Sequence, residues 1–291
     1  MIPHAESQHN LPQSNEISLA QIWFALKQRG VLILAVTFAS AAMAAAFAFT
    51  MEPIYRAEVV VALVDEGGKG GGLGALAGQL GGLASLTGVG IGASSTRTDN
   101  LGTLGSKQLI EQYITEQKLL PVLFEEQWDA GRGDWGSEVV KKPTLWQATQ
   151  LFTAGVRKIA EDKKTGLITL TIEWRDAAVA AQWANDLVRL ANQTLRQRAI
   201  AKSEANLTYL NGQLEKTSVV ELRQAIYRLI EIEVKNIMIA EGSKDYAFKM
   251  IDPAVVPEVK TKPKRFLIIG VGFALGFIIS SLYALAKQSK L

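Results

Sequence analysis

The sequence predicts an α/β membrane protein: two transmembrane helices flanking an α+β base domain that carries a long extended helix. Three observations predict it. Uncharged apolar stretches run from Gly30 to Met51 and from Phe266 to Ala286, each about 21 or 22 residues, the length that carries a helix across roughly 30 Å of hydrocarbon. The run Leu167 to Trp174 alternates and is β-branched, as a half-buried strand requires. No proline interrupts Ala177 to Lys216, where apolar residues recur at spacings of three and four.

Composition narrows the function classes. The 291 residues hold no cysteine, which excludes disulfides and thiolate metal sites. The net charge of +3 and pI near 8.9 come without a long basic block, so nucleic acid is not an expected partner. The only histidines, His4 and His9, lie in the polar N-terminal tail. The soluble part therefore has no imidazole for a proton relay or a metal site. No catalytic set and no cofactor or metal site is expected, and the chain reads as a non-enzyme.

Element by element, residues 1–29 form a polar tail whose stretch Ser18 to Gln28 has helical spacing suited to a membrane interface, with Trp23 as anchor. Residues 30–51 are the first span. A signal peptide is the alternative, with Lys27 and Arg29 as its basic region and small residues at Ala44 to Ala48. The long apolar run and the preceding tail favour a retained helix.

Residues 52–265 form the soluble domain. Pro53 breaks the first helix and Tyr55 to Val64 reads as a strand. Residues 67–92 are too glycine-dense for regular structure and read as a loop. Within that loop Gly88-x-Gly90-x-x-Ala93 resembles a relaxed dinucleotide fingerprint, but no strand feeds it and no P-loop lysine follows. Asn100 to Glu126 reads as a helix interrupted at Pro121, Trp128 to Lys142 as turns, and Thr144 to Ile159 as a short helix.

Asp176 caps the long helical region 176–241. Its first part places Trp183, Leu187, Leu190, Leu207, Leu210 and Leu214 on an oligomer or helix seam. Ser218 and Glu221 read as a capping box for a second helix striped with Leu222, Ile226, Ile230, Val234 and Ile237 and ended by Gly242. One broken rod and a hairpin both satisfy this pattern. Arg189, Arg196 and Arg198 lie on the long helix, available to acidic sugars or to neighbouring glutamates. Ala247 to Ile251 is a last strand.

A Pro-rich segment with Pro253, Pro257 and Pro263 leads into the second span, 266–286, and residues 287–291 form the C-terminal tail. Gly272 and Gly276 allow close helix approach in lipid, and the first span offers the same spacing at Ala41/Ala45 and Ala42/Ala46. Lys27 and Arg29 before the first span place both termini in the cytoplasm; in a bacterium the central domain is then periplasmic. The cluster Lys260, Lys262, Lys264 and Arg265 lies against lipid head groups on that side.

Met250 to Arg265, together with Met51 to Glu58, Ile17 to Trp23, the Gly/Leu-rich stretch and Asp245 to Phe248, resembles the Wzz-type chain-length determinants, the polysaccharide co-polymerases. The resemblance spans nearly the whole chain. It implies a homo-oligomeric ring in the bacterial inner membrane, acting with the polysaccharide polymerase, and possible contact with the growing glycan, to set the length of O-antigen, capsule or exopolysaccharide. Related exporters add a cytoplasmic tyrosine kinase, which the resemblance does not extend to here. A periplasmic adaptor of a polysaccharide secretion system is the alternative reading.

Overall fold

The computed structural model describes residues 30–64 and 93–288. The expected N-terminal tail and the Gly-rich loop 67–92 lie outside the described residues. The described chain divides into two compact units. One is Ile54–Thr261; the other takes the residues up to Pro53 and from Lys262 onward.

The larger unit is built on a four-stranded sheet in the order β4-β5-β1-β6, with β1 Tyr55–Leu63, β4 Arg157–Glu161, β5 Ile168–Trp174 and β6 Phe248–Asp252. Every neighbouring pair is antiparallel. Register matches the apolar faces: Ala57, Val59 and Val61 stand opposite Ile172, Leu170 and Ile168, and all six are buried. The intervening positions Arg56, Glu58 and Val60 pair with Glu173, Thr171 and Thr169 on the other face. A one-residue slip would exchange the two faces, so burial fixes this register.

The long helix α6, Ala177–Lys216, starts where Asp176 accepts from the N–H groups of Ala178 and Val179 at 2.8 and 3.0 Å. Those bonds satisfy two of the donors that a helix start leaves open. Ala180, Ala184, Val188 and Ala191 are buried with the sheet in one core, the small side chains allowing close approach. Around them Phe152, Trp183 and Trp174 form a row of tilted rings, with centroids 5.4 and 5.0 Å apart in that order.

Several expectations are corrected between the first strand and that helix. Asn100 to Glu126 does not form one helix up to Pro121. Helix α2, Ala93–Gly105, stops because Ser106 turns extended and caps α3, Lys107–Glu116, accepting from the Leu109 N–H at 3.1 Å. A third short helix, α4, Leu120–Leu123, follows the left-handed Lys118. The turn region contains a small hairpin, β2 Trp128–Asp129 with β3 Asp134–Trp135, its two tryptophan rings packed edge to face.

Thr144 does cap a helix, with Gln147 completing the reciprocal box, but α5 runs only over Leu145–Leu151. A π turn at Phe152–Val156 then releases the chain into β4, so Ile159 is in a strand. Pairing with β5 explains the switch: the turn at 162–166, with Gly166 at φ +72°, folds Arg157–Glu161 back on Ile168–Ile172. Arg157 is buried at the strand's start and donates to the carbonyls of Leu104 and Gly105 at 2.8 Å each. It thereby closes the C-terminal end of α2.

The open choice over residues 176–241 resolves as a hairpin. Helix α7, Val220–Gly242, returns along α6: Asn206 donates to Glu233 at 2.8 Å, and Arg196 reaches the Ser243 carbonyl at 3.5 Å. Partner numbers that sum to nearly one value mark an antiparallel pair. The expected capping box is absent. Val219 occupies the cap position with no side-chain bond, so Ser218 sits one residue too early to serve. Glu221 still favours the helix start electrostatically.

Candidate functional site

The smaller unit is a pair of antiparallel apolar helices, α1 Gly30–Thr50 and α8 Arg265–Gln288. Both are long and apolar enough to cross a membrane, and little of either is covered. Their contact is lined by small residues. A Cβ placed at Gly272 would overlap the Ala44 methyl, and one at Gly276 would meet Ser40 Cβ at 2.7 Å. These are closer than any real side-chain approach, so glycine is required at both positions.

On the opposing helix the covered face runs through Ile33, Thr37, Ser40, Ala41, Ala44, Ala45 and Ala48. Ala41 and Ala45 thus lie on the half-buried face, while Ala42 and Ala46 are exposed. Sequence reasoning overlooked Ser40, whose hydroxyl donates to the Gly272 carbonyl at 2.8 Å. It also overlooked Thr37, buried and bonded to Ile33 within its own turn. Hydroxyls at small-residue spacing were the signal: they fit where alanine fits and bond in lipid. Phe38 meets Phe273 edge-on at 6.4 Å beside this contact.

In the larger unit the six seam residues take two different positions. Trp183, Leu187 and Leu190 are buried in the α/β core. Leu207, Leu210 and Leu214 are half-buried on the hairpin face turned toward α7. Across from them Ile226 and Ala240 are buried, and Ile230 and Ile237 half-buried. Glu233 stands among these. Partial burial raises its pKa, but hydrogen bonds from Ser203, Asn206 and Asn236, with the field of Lys202, outweigh that and hold it below the ordinary glutamate value.

Of the expected stripe on α7, Leu222 and Val234 are exposed. A second seam accounts for Leu222. Leu222, Ala225, Leu229, Ile232, Asn236 and Ile239 recur at alternating spacings of three and four, a two-per-heptad line. Its four large members are 38–51% exposed. Among the described residues nothing covers that line fully.

Pro253 is exposed and Pro257 half-buried in the segment after β6. Asn185 fixes this segment by donating to the Ala254 carbonyl and accepting from the Ala254 N–H, both at 2.9 Å. Two turns along α6, buried Asn192 does the same at the strand's start. It donates to the Phe248 carbonyl and accepts from Ala247 and Phe248 N–H groups at 2.8–2.9 Å. Pro263 belongs to the helix-pair unit, just before α8.

The three arginines of the long helix are engaged within the chain. Arg189 pairs with Asp186, Arg196 with the Ser243 carbonyl, and Arg198 with Thr103 and Gln108. Tyr113 bonds Asp186 at 3.4 Å, and burial pushes its hydroxyl pKa far upward. A buried phenol that stays protonated serves packing. Among the described residues no cluster of acidic or imidazole side chains has the arrangement of a metal site.

Two family models match the sequence. Residues 15–119 match Wzz, chain length determinant protein, and residues 212–289 match GNVR, a G-rich domain on tyrosine kinase. Among solved structures, one described as a full-length bacterial polysaccharide co-polymerase is 11% identical, with 94% of this chain and 98% of that chain covered at a TM-score of 0.43. A fragment of WzzB, the polysaccharide co-polymerase from Salmonella Typhimurium, is also 11% identical. There the coverage is 72% of this chain and 100% of that one, at a TM-score of 0.30. No curated protein matches the sequence significantly.

Proposed function

We propose that this chain, whose residues 15–119 match the Wzz chain length determinant model, is a member of that family and regulates polysaccharide chain length as a homo-oligomeric scaffold in the bacterial inner membrane. The two apolar helices embed in one bilayer, both termini face the cytoplasm, and the sheet and hairpin stand in the periplasm. Its partner is the polysaccharide polymerase, which the scaffold holds near the growing glycan. No group in the chain is assigned a catalytic role.

The observation that carries the scaffold reading is the uncovered heptad line of α7. A monomer that displays four large apolar residues along one helix pays for their hydration continuously. Side-by-side copies remove that cost, and Asn236 in the line would fix the register between them. The packed small residues of Gly272 and Gly276 keep the anchor narrow, which suits close neighbours in lipid.

Deleting the gene and resolving the cell's polysaccharide on a gel tests the function. A modal length is lost under this reading, and an unchanged ladder overturns it. The mass of the detergent-purified protein tests the assembly, and a strict monomer would contradict it.

A further inference from the structure

The end of the helix pair that carries Thr50 and Arg265 has a cationic corner with no acidic counterpart of equal size. This unit places Lys262, Lys264 and Arg265 there, with Glu52 as the acid. The Arg265 guanidinium lies over the Phe49 ring, 4.4 Å from its centroid. Its Nε is buried and donates to nothing. Among the described residues no ion pair engages either Arg265 or Lys264. The ring of the other helix thus holds the fork in place, and among the described residues no hydrogen bond or ion pair engages its Nη donors. Phe266, almost fully exposed, adjoins it.

A guanidinium fixed on an aromatic face is prepared for a planar, two-point acceptor, and phosphate oxygens match that fork. The corner's height selects the source. It caps two apolar helices of spanning length, the level at which hydrocarbon gives way to head groups and where aromatic and basic side chains concentrate. We propose that this corner binds the phosphate of an anionic phospholipid, with Arg265 on Phe49 as the principal ligand and Lys264 as the second. The proposal rests on the membrane-spanning reading of the helix pair.

Native mass spectrometry of the full chain in mild detergent, with phosphatidylglycerol or phosphatidylcholine added, tests it. The wild-type chain retains the anionic lipid about tenfold better, and millimolar inorganic phosphate does not displace it. Arg265→Gln removes that preference, while Arg265→Lys and Phe49→Leu each lower it several-fold because the stacked fork is lost and the charge or the apolar bulk is kept. Equal retention of the two lipids, or full preference in Arg265→Gln, would overturn the site. Displacement by inorganic phosphate would make it a phosphate site and overturn the lipid assignment. Alkaline carbonate extraction of wild-type membranes reads the underlying assumption separately: release of the chain sinks the membrane reading and the site with it.

Discussion

The two halves of α6 carry the same spacing and meet different fates. From Asp176 to Leu195 the helix lies in the core, where Leu187 is 1% exposed and Asn185 and Asn192 clasp the backbone of the segment after α7. From Ser203 to Lys216 its partner among the described residues is α7, and Leu207, Leu210 and Leu214 are half-covered. Spacing of three and four therefore states that a face is covered, without saying by what. The inner half uses its apolar face in folding; the outer half and α7 leave large apolar residues exposed.

Substitutions sharpen that contrast. Leu187→Ala empties a fully packed site and should cost about 3–4 kcal/mol in chemical denaturation of the detergent-solubilised chain. Asn192→Ala strands two N–H groups and a carbonyl in a buried place, for about 2–3 kcal/mol by the same measurement. Leu210→Ala, at a half-covered position, should cost about 1 kcal/mol. If Leu210→Ala matched Leu187→Ala, the two halves would be energetically alike and the contrast would fail.

Glu233 gives the outer half a pH signature. Its folded pKa lies below the ordinary value, so its contribution is present above that value and is lost as pH falls through the lowered one. Stability of the wild type should therefore drop more steeply on acidification than that of Glu233→Gln. Parallel pH profiles of the two denaturation midpoints would remove Glu233 from the hairpin's account. The smallest effect on the monomer is expected of Leu229→Glu, within about 0.5 kcal/mol because the position is exposed, yet it should reduce the assembled mass.

Local chemistry was the legible part of this fold. The strand at Ile168–Trp174, the cap at Asp176 and the helix to Lys216 depend on neighbours in sequence, and each stands where the pattern placed it. What escaped depends on distant partners. Nothing near Arg157–Glu161 announces a strand; pairing with β5 and the buried bonds of Arg157 make it one. Ser106 ends a helix that the apolar spacing carried onward, because its hydroxyl competes for the Leu109 N–H. The site shows the same division. Gly272 and Gly276 stand out by type, whereas Ser40 matters through a carbonyl 232 residues away. The exposed line on α7 was hidden behind the more obvious stripe through Ile226, and only the burial of that stripe separates the two.

The polysaccharide profile of cells whose only copy carries Leu229→Glu and Ile232→Lys, at unchanged membrane abundance, tests the account most directly. Loss of the modal length together with dissociation to monomer is the predicted result. A normal length distribution from a monomeric variant would contradict it.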